Sequence, residues 1–162
     1  MIENWPVLLA FIGVSILTAT SGAVFMPGKW YKNIAKPSWT PPDWLFGPAW
    51  MLLFALIAFS GYVFYMSATP EERLWPLVIF GIQMVLNAAW SFLFFGKKRI
   101  DLAFIDAVLM ALAIAATMAA FYPVSPQAAA LLIPYLLWVC FAATLNFAIL
   151  RLNASRRTVA ET

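Results

Sequence analysis

The chain has 162 residues, of which 64% are hydrophobic and only 10% are charged, and its formal net charge is +3. Soluble domains are roughly half apolar and about a quarter charged, so this composition excludes an ordinary soluble fold and indicates a protein of the lipid bilayer. The chain has no histidine and one cysteine, Cys140, which excludes a disulfide framework and removes the commonest metal ligand and general base.

Five apolar stretches are each long enough to cross a membrane as a helix, which takes about 20 residues. In chain order they cover residues 5–25, 44–67, 74–95, 100–122 and 127–150. The last four are separated by short gaps, so neighbouring helices there must be antiparallel. We therefore expect an all-α membrane protein, a bundle of five transmembrane helices within residues 1–151, followed by a cytoplasmic tail over residues 152–162.

The first span is not expected to be a cleaved signal peptide. It is long for the apolar region of such a peptide, and Glu3 is the only charge before it. The small residues over 18–23 could mimic a cleavage site, but they also favour close packing against another helix.

The gap between the first two spans contains the segment KPSWTPPDWLFGPAW, residues 36–50. Pro37, Pro41 and Pro42 each fix one backbone dihedral angle and remove a hydrogen-bond donor, so this loop is stiff and cannot continue a helix. Asp43 is expected to cap the second span, and Pro48 falls in its first two turns.

The basic residues predict the orientation of the bundle. Ten lysines and arginines occur, and nine lie on the side that holds the first loop, the third loop and the tail. These nine are Lys29, Lys32, Lys36, Lys97, Lys98, Arg99, Arg151, Arg156 and Arg157, whereas Arg73 is on the other side. The positive-inside rule then predicts that the N-terminus is outside and that the C-terminus and first loop are cytoplasmic.

Five large rings are expected near that membrane face: Trp30, Tyr31, Trp39, Trp44 and Trp50. One interpretation is an interfacial belt, since tryptophan and tyrosine favour the headgroup level. That interpretation suits Trp44 and explains Trp39 and Trp50 less well. The other interpretation is an aromatic lid or wall for a flat apolar ligand.

Polar residues form a stripe on the third span, where Gln83, Asn87 and Ser91 recur every four residues and Trp90 borders them. Such a stripe either makes hydrogen bonds between helices or lines a cavity and orients a ligand.

On the fifth span Tyr135, Trp138, Ala142 and Leu145 share one helical face. A large ring one turn before a small residue forms a slot, either for a planar ligand or for a neighbouring helix. Pro134 predicts a kink, and Asn146 lies within or near the membrane.

Asp106 has no second carboxylate to pair with, so a proton relay is weakly supported and a bond to a polar neighbour is the simpler interpretation.

The sequence contains no nucleophile–base constellation, phosphate-binding loop or metal cluster, and its cations are dispersed over loops and not gathered as a nucleic-acid patch. We expect no cofactor, no metal site and no nucleic-acid partner, and a binding site more readily than a reaction centre.

Several segments together resemble the translocator protein family, also called tryptophan-rich sensory proteins or peripheral-type benzodiazepine receptors. They are Trp30-Tyr31, KPSWTPPDWLFGPAW, LNAAWSFLFFG from Leu86, FIDAVLMA around Asp106, VSP from Val124 and PYLLWVCFAATLNF from Pro134. The resemblance covers nearly the whole chain.

The resemblance implies a five-helix bundle that forms a homodimer. It also implies binding of protoporphyrin and related tetrapyrroles, of isoquinoline and benzodiazepine drugs and, in animals, of cholesterol, in a pocket that opens to the cytoplasm under the first loop. The implied ligand-binding residues are Tyr31, Trp50, Asn87, Trp90, Trp138, Ala142 and Leu145, to which the aromatic-lid interpretation adds Trp39.

Two functions remain open at this point. The first is a receptor or transport protein that binds a tetrapyrrole and acts in transport or stress regulation. The alternative is a light- or oxygen-dependent enzyme that degrades porphyrin, with Trp30 and Trp138 as the candidate redox residues. Sterol binding is disfavoured, because Phe147 stands where the animal cholesterol motif has tyrosine, which suits a bacterial member.

Overall fold

The computed structural model describes residues 4–160 and the side chains of residues 4–154. Within this range the chain forms α-helices, one π-helical turn and no strand. The helices are α1 (Trp5–Val24), α2 (Lys29–Asn33), α3 (Asp43–Ser67), α4 (Pro70–Ser91), α5 (Ile100–Phe121), α6 (Pro126–Leu131) and α7 (Ile133–Ala160), and the π-helical turn is Phe92–Gly96. Among the predicted cytoplasmic cations, the side chains of Arg156 and Arg157 lie outside the described set.

Five helical stretches are long and apolar enough to cross a membrane, which confirms the predicted fold class. They are Trp5–Val24, Asp43–Ser67, Pro70–Gly96, Ile100–Phe121 and Pro126–Ala154. The helix α7 continues to Ala160, through most of the segment that the sequence analysis assigns to the tail.

Ring contacts establish the direction of α1 and α4. Phe11 packs on Phe80 with ring centroids 5.7 Å apart, and about three to four turns later Phe25 packs on Phe92 at 5.3 Å. The two helices are therefore parallel, and the hairpins place α3 and α5 antiparallel to them. One end of the bundle, here called the loop end, holds the first loop (residues 26–42), the turn over residues 97–99 and the end of α7.

The ends of the helices follow local sequence signals. At the start of α4 the Thr69 N–H donates to Glu72 Oε2 over 2.9 Å, which forms a capping box, and Pro70 takes the first position, where no N–H is needed. At α3 the expectation that Asp43 caps the helix is wrong, because Pro42 occupies the cap position and Asp43 is the first helical residue. The Asp43 carboxylate still lies in the first turn, where the helix dipole favours negative charge.

The half of the bundle away from the loop end is packed solid. Phe64 and Phe121 stack with ring centroids 3.9 Å apart, and Phe80 stacks on Phe121 at 6.0 Å. A Cβ atom on Gly61 would lie 2.4 Å from Phe11, so this glycine lets α1 approach α3. The packed core leaves the loop-end half to hold the cavity described below.

Two irregular segments shape the loop-end half. In the π-helical turn the Lys97 N–H donates to the Phe92 carbonyl over 2.8 Å, and Phe94 turns inward to 2% exposure. The expected kink at Pro134 takes the form of a break at Leu132 between α6 and α7.

Candidate functional site

A cavity of about 890 Å³ lies between the loop-end halves of the helices. Ligand pockets in proteins have volumes of about 300–1,000 Å³ and are mostly apolar with a few polar groups, and this cavity has both properties. Its wall comes from α1, the first loop, α3, the end of α4 with the π-helical turn, α5 and α7. The aromatic members of the wall are Tyr31, Trp44, Phe46, Trp50, Phe54, Trp90, Phe94, Phe95 and Trp138.

Of the four tryptophans in the wall, Trp44 is 71% exposed, and the other three lie on three different helices. Trp50 packs on Phe54, at 5.4 Å between ring centroids, and Trp138 packs on Phe46 at 5.8 Å. Trp90 stacks on Phe94 at 5.0 Å with the rings 16° from parallel. Each indole is thus held by a second aromatic ring, so the wall of the cavity is preorganised and rigid.

Helix α1 contributes small side chains to the wall. Ser15, Thr18, Ala19 and Gly22 line the cavity at spacings of three, one and three residues, which is one helical face. These small residues leave space beside the large rings of the wall, which suits a flat ligand.

Tyr31 on α2 brings the first loop into the wall. Its side chain is only 5% exposed and packs on Phe94 and Phe95, with ring centroids 6.0 Å and 5.5 Å away. Burial, with a smaller contribution from the negative charge of Asp43, raises the pKa of the Tyr31 phenol. The hydroxyl therefore stays protonated at neutral pH and can donate a hydrogen bond.

A buried hydrogen-bond chain supports the deep part of the cavity. The Asn87 amide donates to the Tyr135 hydroxyl over 2.7 Å, and that hydroxyl donates to the Met110 sulfur over 3.4 Å. The ring of Tyr135 packs on that of Trp50, with centroids 6.2 Å apart. The polar stripe predicted on the third span therefore makes an interhelical bond and also borders the cavity, so both interpretations of it hold at Asn87.

Several buried polar atoms in the wall have no partner within the described part of the chain. They are the indole N–H groups of Trp90 and Trp138, the Ser15 hydroxyl and both amide atoms of Asn146. Buried polar groups are nearly always hydrogen-bonded in folded proteins. These four residues therefore have unused hydrogen-bonding capacity directly behind the surface of the cavity.

The chemistry that the wall offers is recognition by shape and a few hydrogen bonds. Asp43, at the mouth, is the charged residue among those that line the cavity. Asp106 is buried with one carboxylate oxygen unpartnered, yet it lies outside the lining residues. Residues 4–160 contain no group of three potential metal ligands.

Seven of the eight predicted ligand-binding residues border this cavity: Tyr31, Trp50, Asn87, Trp90, Trp138, Ala142 and Leu145. Trp39 does not, because its ring packs on Phe141 at 6.0 Å and it remains 48% exposed. Trp30 is also outside the lining, with its ring on Phe94 at 5.8 Å.

The sequence analysis missed two parts of the wall. The small-residue face of α1 was noticed only as a packing surface, although its helical spacing could have identified it. Phe94 and Phe95 were missed because a π-helical turn rotates them away from the positions that a regular helix predicts, and no sequence signal marks that turn.

Comparison with known proteins finds relatives that match most of the chain. A sequence profile of the TspO/MBR family matches residues 6–152. The translocator protein of Homo sapiens is 37% identical over 158 residues, which cover 94% of each chain. The tryptophan-rich protein TspO of Chlorobaculum tepidum is 42% identical over 88% of this chain and 92% of its own. The tryptophan-rich sensory protein of Cereibacter sphaeroides is 37% identical over 94% of this chain and 95% of its own.

Proposed function

Because the chain belongs to the TspO/MBR family of membrane proteins, we propose that it binds protoporphyrin, or another flat apolar ligand, in the cavity at the loop end. Ligand binding there would serve transport or the regulation of stress and tetrapyrrole levels. The chain would act as a receptor or transport protein and not by chemistry of its own side chains.

One observation carries the proposal: three tryptophans from three helices face one preformed space of about 890 Å³. A rigid aromatic wall loses little conformational entropy when a planar molecule stacks against it. The Asn146 amide and the indole N–H groups have no partner in the unliganded wall, and they would pair with the few polar atoms of such a ligand once their side chains turn towards the cavity.

The distribution of charge supports a cavity that faces the cytoplasm. The loop end carries nine of the ten basic residues of the sequence, and the cavity reaches the bundle surface there, beside Met26, Pro27 and Asp43. A ligand would then enter from the cytoplasm or the inner leaflet.

The proposal predicts that Trp138→Leu weakens protoporphyrin binding to the purified protein. Removing most of the buried ring contact is expected to cost about 1–3 kcal/mol, or roughly 5- to 150-fold in Kd. Titration of protoporphyrin, followed by quenching of the remaining tryptophan fluorescence, measures this change.

Trp75→Leu is the matched control, because it also removes one tryptophan but lies outside the cavity lining and is 73% exposed. Equal affinities of the two variants and the unaltered protein would count against the cavity as the binding site.

The alternative is oxidative breakdown of a bound porphyrin in light, and the position of Trp138 in the wall is the observation that favours it. Trp30, the other candidate, would act at a distance, since its ring lies behind Phe94. A new product spectrum that requires light and oxygen, and that is lost in Trp138→Phe but not in Trp75→Phe, would favour this activity.

A further inference from the structure

One side chain near the end of α7 ties that helix to the first loop. Asn153 Oδ1 accepts from the Ala35 N–H over 3.1 Å, and Asn153 Nδ2 donates to the Ala35 carbonyl over 2.9 Å. Nδ2 also donates to the Ile149 carbonyl, one turn earlier in α7, over 2.7 Å. Both backbone groups of Ala35 are thus held by one amide that is itself anchored to its own helix.

The hydrogen bonds between Asn153 and Ala35 join residues far apart in sequence, whereas the other side-chain hydrogen bonds of this loop join near neighbours. Lys36 Nζ donates to the Tyr31 carbonyl over 2.5 Å and lies 4.5 Å from the centroid of the Tyr31 ring, so it stabilises the loop internally. Asn153, by contrast, joins segments that are 118 residues apart in sequence. Its bonds determine where the loop sits on the bundle.

The position of the loop determines one wall of the cavity. Tyr31, four residues before Ala35, lines the cavity and forms a cluster with Phe94, Leu145 and Ile149. The segment between Tyr31 and Ala35 is held by its own hydrogen bonds, since the Ile34 N–H donates to the Trp30 carbonyl over 3.2 Å and Lys36 Nζ donates to the Tyr31 carbonyl. A displacement at Ala35 is therefore transmitted to Tyr31.

We propose that Asn153 is a latch that holds the first loop against the loop end of the bundle, with Tyr31 in the cavity wall, and thereby limits the rate of entry into the cavity. The inference rests on the proposed function for its biological purpose, but the latch itself is a property of the apo protein. Opening breaks the two hydrogen bonds between Asn153 and Ala35 and separates Tyr31 from its contacts with Phe94 and Phe95. Asn153 is a positioning residue, since it acts through Tyr31 and does not line the cavity.

The first test measures access to the cavity without any ligand. Ala142→Cys places a thiol in the cavity wall, in a Cys140→Ser background that removes the exposed native thiol. The rate of labelling by a small maleimide is expected to rise roughly tenfold when Asn153→Ala is added, which corresponds to two ordinary hydrogen bonds. Asn153→Asp keeps one acceptor and loses the donor, so its rate should be intermediate.

Asn33→Ala is the matched control, since Asn33 is an exposed asparagine in the same segment. If Asn153→Ala is labelled at the same rate as Asn33→Ala, the proposal that Asn153 holds the first loop is wrong.

The second test locks the loop. Ala35→Cys and Asn153→Cys together, again with Cys140→Ser, are expected to form a disulfide that slows protoporphyrin association and dissociation at least tenfold, with reductant restoring both rates. Unchanged rates after complete oxidation would contradict the latch. If protoporphyrin binds none of the variants, the proposed function is wrong. The labelling rates still show whether Asn153 holds the first loop in place.

Discussion

At the scale of single residues, the site depends on pairing large rings with small neighbours. Trp138 faces the cavity one turn before Ala142, and Gly61 accepts the ring of Phe11 against its backbone. Helical spacing predicted most of the residues of α4 and α7 that border the cavity, but it also included Gln83 and Tyr135, which are fully buried outside the lining. It was not sufficient for Trp39, because that residue is on a loop whose path no periodicity describes, and its ring packs on Phe141.

The contact at Gly61 gives a prediction for stability. In Gly61→Ala the new methyl group would clash with the ring of Phe11, and relieving the clash would disturb the edge contacts of that ring with Tyr65 and Phe80. We expect the free energy of unfolding to fall by about 1–3 kcal/mol. The thermal midpoint of unfolding in detergent, followed by circular dichroism, measures it.

Gly81→Ala is the control for that substitution. A Cβ atom there would meet nothing within 4 Å, so this variant should be as stable as the unaltered protein or slightly more stable. An equal loss of stability in both variants would show that the Phe11 contact is not the cause.

At the scale of the helices, five spans were predictable because bilayer thickness sets a minimum apolar length and because the proline-rich loop marks a helix end. The third span was predicted to begin at residue 74, four residues late, because the apolar run does not include the capping box at Thr69 and Pro70. The exceptions have physical reasons. The π-helical turn depends on tertiary contacts, among them Phe25 against Phe92 and the absence of a side chain at Gly96. The role of Asn153 was not predictable from the sequence either. The residue lies in the segment predicted to be a polar tail, and its partner Ala35 is 118 residues away.

At the scale of the whole molecule, the two halves of the bundle have different roles: one is a packed core and the loop-end half holds the cavity. Stacked phenylalanines stabilise one half, which frees the loop-end half to enclose a cavity. Large apolar side chains such as Leu17, Met51 and Val85 are 69–73% exposed, as expected for surfaces that face lipid. The homodimer stays a prediction.

The orientation of the bundle is a prediction at this scale. If the nine basic residues of the loop end hold it on the cytoplasmic side, a reporter enzyme fused after Thr162 should be active only when that reporter functions in the cytoplasm. A periplasmic-type reporter that is active at the same position would reverse the assignment, and a fusion at the turn after Ser67 serves as the opposite control.

The central claim is that a flat ligand occupies the cavity, and filling the cavity tests it most directly. Ala142→Phe adds a ring to the wall beside Trp138, whereas Ala116→Phe adds the same ring to an exposed face of α5. The protoporphyrin Kd of both variants should be measured in lipid nanodiscs by fluorescence titration, together with the thermal midpoint with and without ligand. We predict that Ala142→Phe loses at least tenfold in affinity and most of the ligand-induced thermal stabilisation, while Ala116→Phe retains both. Unchanged affinity and stabilisation in a folded Ala142→Phe protein would contradict the account.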